Sequence, residues 1–147
     1  MVASGADEIV ASPSSLVGSI GAIMTLADLS EYYKKEGADI FSITGGKYKD
    51  MGADYRSLTP EERNMLQKMV DEEYDNFIKI IANNRNLTYD YVKTIAEGRP
   101  YTGQQGLNVS LIDHLGGKDF AIELAANKSH MNIYHPYDYG SRGLFGF

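Results

Sequence analysis

The stretch GGKYKDMGADYRSLTPEER, Gly45 to Arg63, decides the fold because it joins two different periodicities. On its N-terminal side, Asp39-Ile40-Phe41-Ser42-Ile43 reads as a strand running into a glycine loop. On its C-terminal side, Thr59-Pro60-Glu61-Glu62 places a cap threonine, a proline at the first helical position and a glutamate three residues after the cap. Leu66, Met69, Val70, Tyr74, Phe77, Ile78 and Ile81 then recur at helical spacing. They predict a helix to Ala82 or Asn83, about 35 Å long at 1.5 Å per residue.

The same alternation extends outward. Glu8 to Ala11 is a short β-like run closed by Ser12-Pro13-Ser14-Ser15. Gly18 to Met24 is apolar with small residues, which suits a buried strand approached closely by another backbone. Thr25 to Glu36 carries Leu26, Leu29, Tyr32 and Tyr33 on one helical face and stops at Gly37. Beyond the long helix, Thr88 caps a second one that carries Tyr91, Val92 and Ile95 and ends by Gly98. These two helices are candidates for subunit packing. Tyr101-Thr102 reads as a short strand, with Thr102 and Gln105 forming another capping box. Leu111-Ile112 is a further strand, and Asp119 to Ala126 a closing helix. Strands interleaved with helices specify an α/β fold. The organisation expected is a catalytic-type domain over residues 1–128 and an aromatic, glycine-rich tail over 129–147.

Composition narrows the function classes. Of 147 residues, 43% are apolar and 23% charged, as in an ordinary globular domain able to bury a core. A formal net charge of −6, with scattered lysines and arginines, argues against a nucleic-acid partner. With no cysteine, disulfides and thiolate metal sites are excluded. No apolar run approaches the roughly 18 residues of a membrane span. The opening MVASGADEIV has neither the basic nor the apolar region of a secretion signal. It reads instead as the interior of a packed segment, so an N-terminally truncated chain is expected.

Most chemistry-bearing patterns fail on spacing. Gly46-Lys47 is no phosphate loop, because position 41 is Phe and position 48 is Tyr. His114, His130 and His135 lack a metal-pair spacing and a supporting carboxylate cluster, and neither metal nor cofactor is expected. Asn86, Asn108 and Asn127 match glycosylation triplets by composition alone. Glu61-Glu62 and Glu72-Glu73 belong to helix patterns. What remains is serine and lysine: a lysine here reads either as a structural or surface side chain or as a general base for a serine. Such a base must be neutral near pH 7, whereas the free side chain titrates near 10.4, so it needs a site that excludes water and supplies hydroxyl or carbonyl partners.

Three stretches read together resemble the signal peptide peptidase A (protease IV) family of Ser-Lys serine peptidases. They are ADEIVASPSSLVGSIG from Ala6, the Gly45 to Arg63 segment, and EGRPYTGQQGLNVSLIDHLGG from Glu97. The resemblance covers about 120 residues in one order, and the tail lies outside it. It implies a Clp-protease and crotonase-like fold of repeated strand-strand-helix units, with this chain the C-terminal portion. It also implies a membrane-associated homo-oligomer that cleaves signal-peptide remnants and other hydrophobic peptides. The membrane anchor would lie outside the chain, leaving the chain itself soluble. Acyl-CoA enzymes share the general fold, but the lysine segment and the helix start resemble peptidases.

Carried over by position, the family's base lysine falls on Lys49, followed by Asp50, and not on Lys47. A serine whose hydroxyl helps orient that lysine falls on Ser19. The nucleophilic serine falls about four residues before Met1, so the resemblance implies a chain that supplies the base and lacks the nucleophile. Ser4, in Met1-Val2-Ala3-Ser4-Gly5, is the substitute candidate, but it precedes Lys49 by 45 residues, short of the family's separation. A non-catalytic oligomerisation or assembly module is the alternative.

Overall fold

The computed structural model describes residues 1–130. It contains helices and short strands in mixed order, and the described residues form two compact units. One unit runs from Ser19 to Arg99. The other combines Val2–Gly18 with residues 100–130. The tail expected over 129–147 lies outside the described residues except for its first two.

The first unit is built on helix α2, Pro60–Arg85, preceded by α1, Ser30–Lys35, and followed by α3, Tyr89–Ile95. The start of α2 is the capping box read from the sequence: Glu62 N–H donates to Thr59 Oγ1 at 3.2 Å, and Thr59 N–H to Glu62 Oε2 at 2.9 Å. The helix outruns the expected end and stops where Asn86 turns left-handed, φ 51°. Leu87 N–H then reaches the Ala82 carbonyl at 2.9 Å, satisfying one of the last helical acceptors. Helices α2 and α3 pack together, and the buried side chains of this unit include Ile78, Ile81, Val92 and Ile95. Tyr74 donates its hydroxyl to the Ala96 carbonyl at 2.9 Å, fastening α2 to the residue that ends α3.

Three expectations in this unit are corrected. The helix expected over Thr25 to Glu36 is only Ser30–Lys35. The Leu29 N–H is taken by the Asp54 carbonyl at 2.6 Å, and Asp28 Oδ1 accepts both the Ser30 N–H and the Ser30 hydroxyl. These local acceptors compete with helical hydrogen bonding ahead of Ser30. The stop at Gly37 holds, with φ at +73° and the Ala38 N–H on the Tyr33 carbonyl. The strand expected at Asp39 to Ile43 does not form, because among the described residues no strand pairs with it. Phe41 and Ile43 are 75% and 95% exposed as a result. Gly18 to Met24 is likewise no strand beyond Gly18: Ile20 is buried, but Ile23 is exposed. The close backbone approach expected there is present, since a Cβ on Gly21 would lie 3.4 Å from Gly98 Cα.

The second unit contains two two-stranded sheets. Strand β1, Val10–Ala11, pairs in parallel with β4, His114–Leu115; β2, Leu16–Gly18, pairs antiparallel with β3, Pro100–Thr102. Thr102 also caps α4, Gly103–Asn108, through the expected box with Gln105. Helix α5, Lys118–Lys128, closes the unit. The strand expected at Leu111-Ile112 is displaced to His114–Leu115. The Ile9 carbonyl accepts from both the Asp113 and His114 N–H groups, which sets that register, while Ile112 is buried in the core.

Candidate active site

The segment between Gly45 and α2 is held on both sides of Lys49. Turn hydrogen bonds run from Lys49 N–H to the Gly46 carbonyl, from Met51 to Tyr48, and from Ala53 to Asp50. Ahead of Lys49, Lys47 Nζ lies 2.6 Å from Glu61 Oε2, and the Tyr48 hydroxyl donates to Glu61 Oε1. The Glu61 carboxylate, and then the Tyr48 hydroxyl, raise the Lys47 amine above its ordinary value, so it stays charged. After Lys49, Asp50 receives Arg56 Nε at 3.0 Å and Nη2 at 2.8 Å, with the Ser42 and Tyr55 hydroxyls at 3.1 and 3.3 Å. Arg56 continues to Glu62 through Nη1 at 2.9 Å and Nη2 at 2.7 Å. Hydrogen bonding from Arg56, first of all, holds both Asp50 and Glu62 below the ordinary carboxylate range, Glu62 at about 2.

Lys49 itself is exposed and makes no side-chain hydrogen bond or ion pair among the described residues. The two lysines of this loop are therefore chemically distinct: one is neutralised by a carboxylate and the other is not. Sequence reasoning misses Arg56. The available signal is its position six residues after Asp50 and six before Glu62, but the cap at Thr59 already accounts for Glu62.

Ser19 has a left-handed backbone, φ 51°, and donates its hydroxyl to the Gly98 carbonyl at 3.4 Å; among the described residues it makes no hydrogen bond to the Lys49 amine. Its N–H donates to the Arg99 carbonyl at 3.0 Å, and Gly98 N–H donates to the Ile20 carbonyl at 2.8 Å. Ser19 stands in a groove of about 500 Å³ whose walls include Gly21, Ile23, Val70, Tyr74 and Gly98. Ser4 lies in the second unit, in a 3-10 turn over Val2–Gly5, and is 8% exposed.

His114 is engaged structurally: its Nε2 is 3.1 Å from Glu8 Oε2, and its ring meets Phe120 edge to face. Lys128 reaches the other Glu8 oxygen at 2.6 Å and, as the main cause, lowers the Glu8 carboxyl. Among the described residues, no helix is long and apolar enough to cross a membrane.

Comparison with known proteins agrees with the order of these segments. The sequence model of Peptidase family S49 matches residues 1–132. A protease-named protein of Methanocaldococcus jannaschii is 40% identical over 99% of this chain and 48% of its own length. The protein named serine protease SPPA, chloroplastic, of Arabidopsis thaliana is 34% identical over 90% of the chain and 20% of its own length. An Enterococcus faecium protein named for the signal peptide peptidase SppA is 31% identical over 83% of the chain and 36% of its length. The chain thus spans about half or less of each of these relatives. With the matched region reaching from Met1 through the Lys49 segment, both capping boxes and α5, this chain belongs to peptidase family S49, the signal peptide peptidase A family of serine-type peptidases.

Proposed function

We propose that this chain carries the general base, Lys49, of a Ser-Lys endopeptidase that degrades signal peptides and other hydrophobic peptides, the nucleophilic serine coming from outside the chain. One observation carries the reading: of the two loop lysines, Lys47 is bound to Glu61 while Lys49, the one the family resemblance favours, has no side-chain partner among the described residues. In the reaction, neutral Lys49 takes the serine hydroxyl proton as the oxygen attacks the scissile carbonyl carbon. The tetrahedral intermediate collapses to an acyl-enzyme, and the lysine passes its proton to the departing amine. Water, deprotonated by the same lysine, then releases the acyl group. Ser19 is the orienting hydroxyl in this reading, and the groove beside it, with Ile23, Val70 and Tyr74 on its walls, suits apolar peptide side chains.

Lys49 is exposed, and a base working near neutral pH requires cover from water. The segment bringing the serine would supply that cover, extend the strand-strand-helix repeats of a Clp-like fold, and bring the membrane anchor. The test is hydrolysis of a fluorogenic apolar peptide by this chain alone, and by a chimera in which the upstream half of the Methanocaldococcus relative precedes it. The chain alone is expected to be inactive. The chimera is expected to turn over and to lose at least about 10²-fold in kcat on Lys49→Ala, the lower range for general-base removal. Activity of the isolated chain that Ser4→Ala abolishes would make Ser4 the nucleophile and overturn the assignment.

A second reading is favoured by the exposed apolar side chains of Ile23, Phe41 and Ile43: an assembly module that associates with itself without catalysis. Light scattering on the isolated chain tests it. Oligomers that Phe41→Ser with Ile43→Ser dissolves into monomers are expected under this reading, and monomers in the parent chain rule it out.

A further inference from the structure

With Lys49 as the base, the reading on which this inference rests, a physical difficulty remains. Asp50 is the next residue, and a carboxylate beside an amine on an exposed turn is its nearest counter-ion along the chain. A lysine paired in that way stays protonated, as Lys47 does on Glu61. Arg56 occupies both Asp50 oxygens, Oδ2 through Nε and Oδ1 through Nη2, and the Ser42 and Tyr55 hydroxyls fill the remaining directions at Oδ2. Arg56 is fixed in turn by both oxygens of Glu62 and by the Ser57 carbonyl at 3.2 Å. Guanidinium is suited to this task, because its planar fork serves two carboxylates at once and does not deprotonate. On the other side of Lys49, Glu61 engages Lys47 and Tyr48. Two successive glutamates in the first turn of α2 therefore engage the residues on either side of Lys49, Glu61 directly and Glu62 through Arg56, and among the described residues its amine has no partner.

We propose that Arg56 is a positioning residue for Lys49: by holding both oxygens of Asp50 against the start of α2, it withholds that carboxylate from the neighbouring amine. The role is electrostatic as well as geometric, which separates it from simple bracing. Removing Arg56 releases Asp50 to pair with Lys49, and removing the Asp50 charge as well relieves that pairing.

The test needs no catalysis, so its failure is distinct from failure of the peptidase reading. Limiting acetic anhydride at pH 8 acylates only unprotonated amines, and peptide mass spectrometry reads the ratio of Lys49 to Lys68, an exposed reference on α2. Arg56→Met is expected to lower this ratio about threefold, the effect of one nearby exposed charge in water. Arg56→Met with Asp50→Asn is expected to restore it, and Arg56→Lys to fall between. An unchanged ratio in Arg56→Met overturns the proposal, as does a fall that Asp50→Asn fails to restore. Should Arg56→Met not fold, as judged by circular dichroism, Asp50→Asn alone decides. Withheld charge predicts an unchanged ratio, and a threefold rise would mean that Asp50 already acts on Lys49.

Discussion

Arg56 and Glu62 meet at two points, Nη1 to Oε2 at 2.9 Å and Nη2 to Oε1 at 2.7 Å, with the Glu62 side chain only 5% exposed. The same Glu62 carboxylate accepts the Thr59 N–H. One carboxylate thereby closes the cap of α2 and anchors the guanidinium that holds Asp50.

That arrangement makes the first unit acid-sensitive in a defined window. Hydrogen bonding from Arg56, with help from Thr59, brings the Glu62 carboxyl from 4.5 to about 2. A group lowered on folding contributes stability above its unfolded value and loses it as pH falls through its folded one. The melting temperature, followed by helical circular dichroism, is expected to drop between about pH 4.5 and pH 2. Glu62→Gln should melt lower at pH 6 and show a shallower slope across that window. Parallel slopes for the two proteins would remove Glu62 from the account.

Ser19 separates stability from the proposed chemistry. Its left-handed backbone suits glycine and opposes β-branched residues, and its hydroxyl bond to Gly98 is long. In chemical denaturation Ser19→Gly is expected to stay within about 0.5 kcal/mol of the parent, and Ser19→Val to lose about 2 kcal/mol. In the active chimera Ser19→Gly should nevertheless lower kcat. Unchanged turnover would deny Ser19 the orienting role.

Ile78 on α2 is fully buried. Ile78→Ala leaves a cavity where α2 and α3 pack and is expected to cost about 3 kcal/mol in urea unfolding. Exposed Met69 on the same helix should tolerate alanine within about 0.5 kcal/mol. Equal losses at both positions would mean that this helix face is not the core.

Two glycines give a matched pair. A Cβ on Gly103 would fall 2.0 Å from the Ser12 carbonyl oxygen, and backbone cannot yield there as a flexible side chain could. Gly45 has open space around its Cβ position and no left-handed backbone. Gly103→Ala is expected to melt many degrees lower or to fail to accumulate as folded protein, whereas Gly45→Ala should melt within about 2 °C of the parent. A tolerated Gly103→Ala would contradict the packing of α4 on the Ser12 turn.

Features that depend on residues three or four apart were legible in the sequence. The caps at Thr59, Thr88 and Thr102 stand where the residue pattern placed them, because a capping hydroxyl and its N–H partner are near neighbours in the chain. Strand expectations fared worse. A strand exists only through a partner, so Asp39 to Ile43 has the composition of one and among the described residues lacks the ladder, while His114–Leu115 gained a ladder from Val10–Ala11 over a hundred residues away. Helix α1 is shorter than its apolar stripe because the Asp54 carbonyl captures the Leu29 N–H and the Asp28 carboxylate captures that of Ser30.

By itself, the sequence determined the mixed helix and strand order, the position of the long helix, family membership, and the presence of two loop lysines. Only the tertiary structure decided that Lys47 is neutralised by Glu61, 14 residues away, and that Arg56 holds Asp50 and Glu62 together. The physical reason is range. Caps and helical stripes follow from local backbone geometry, whereas the pairing of an ion is settled by which carboxylate the folded chain brings within hydrogen-bond distance.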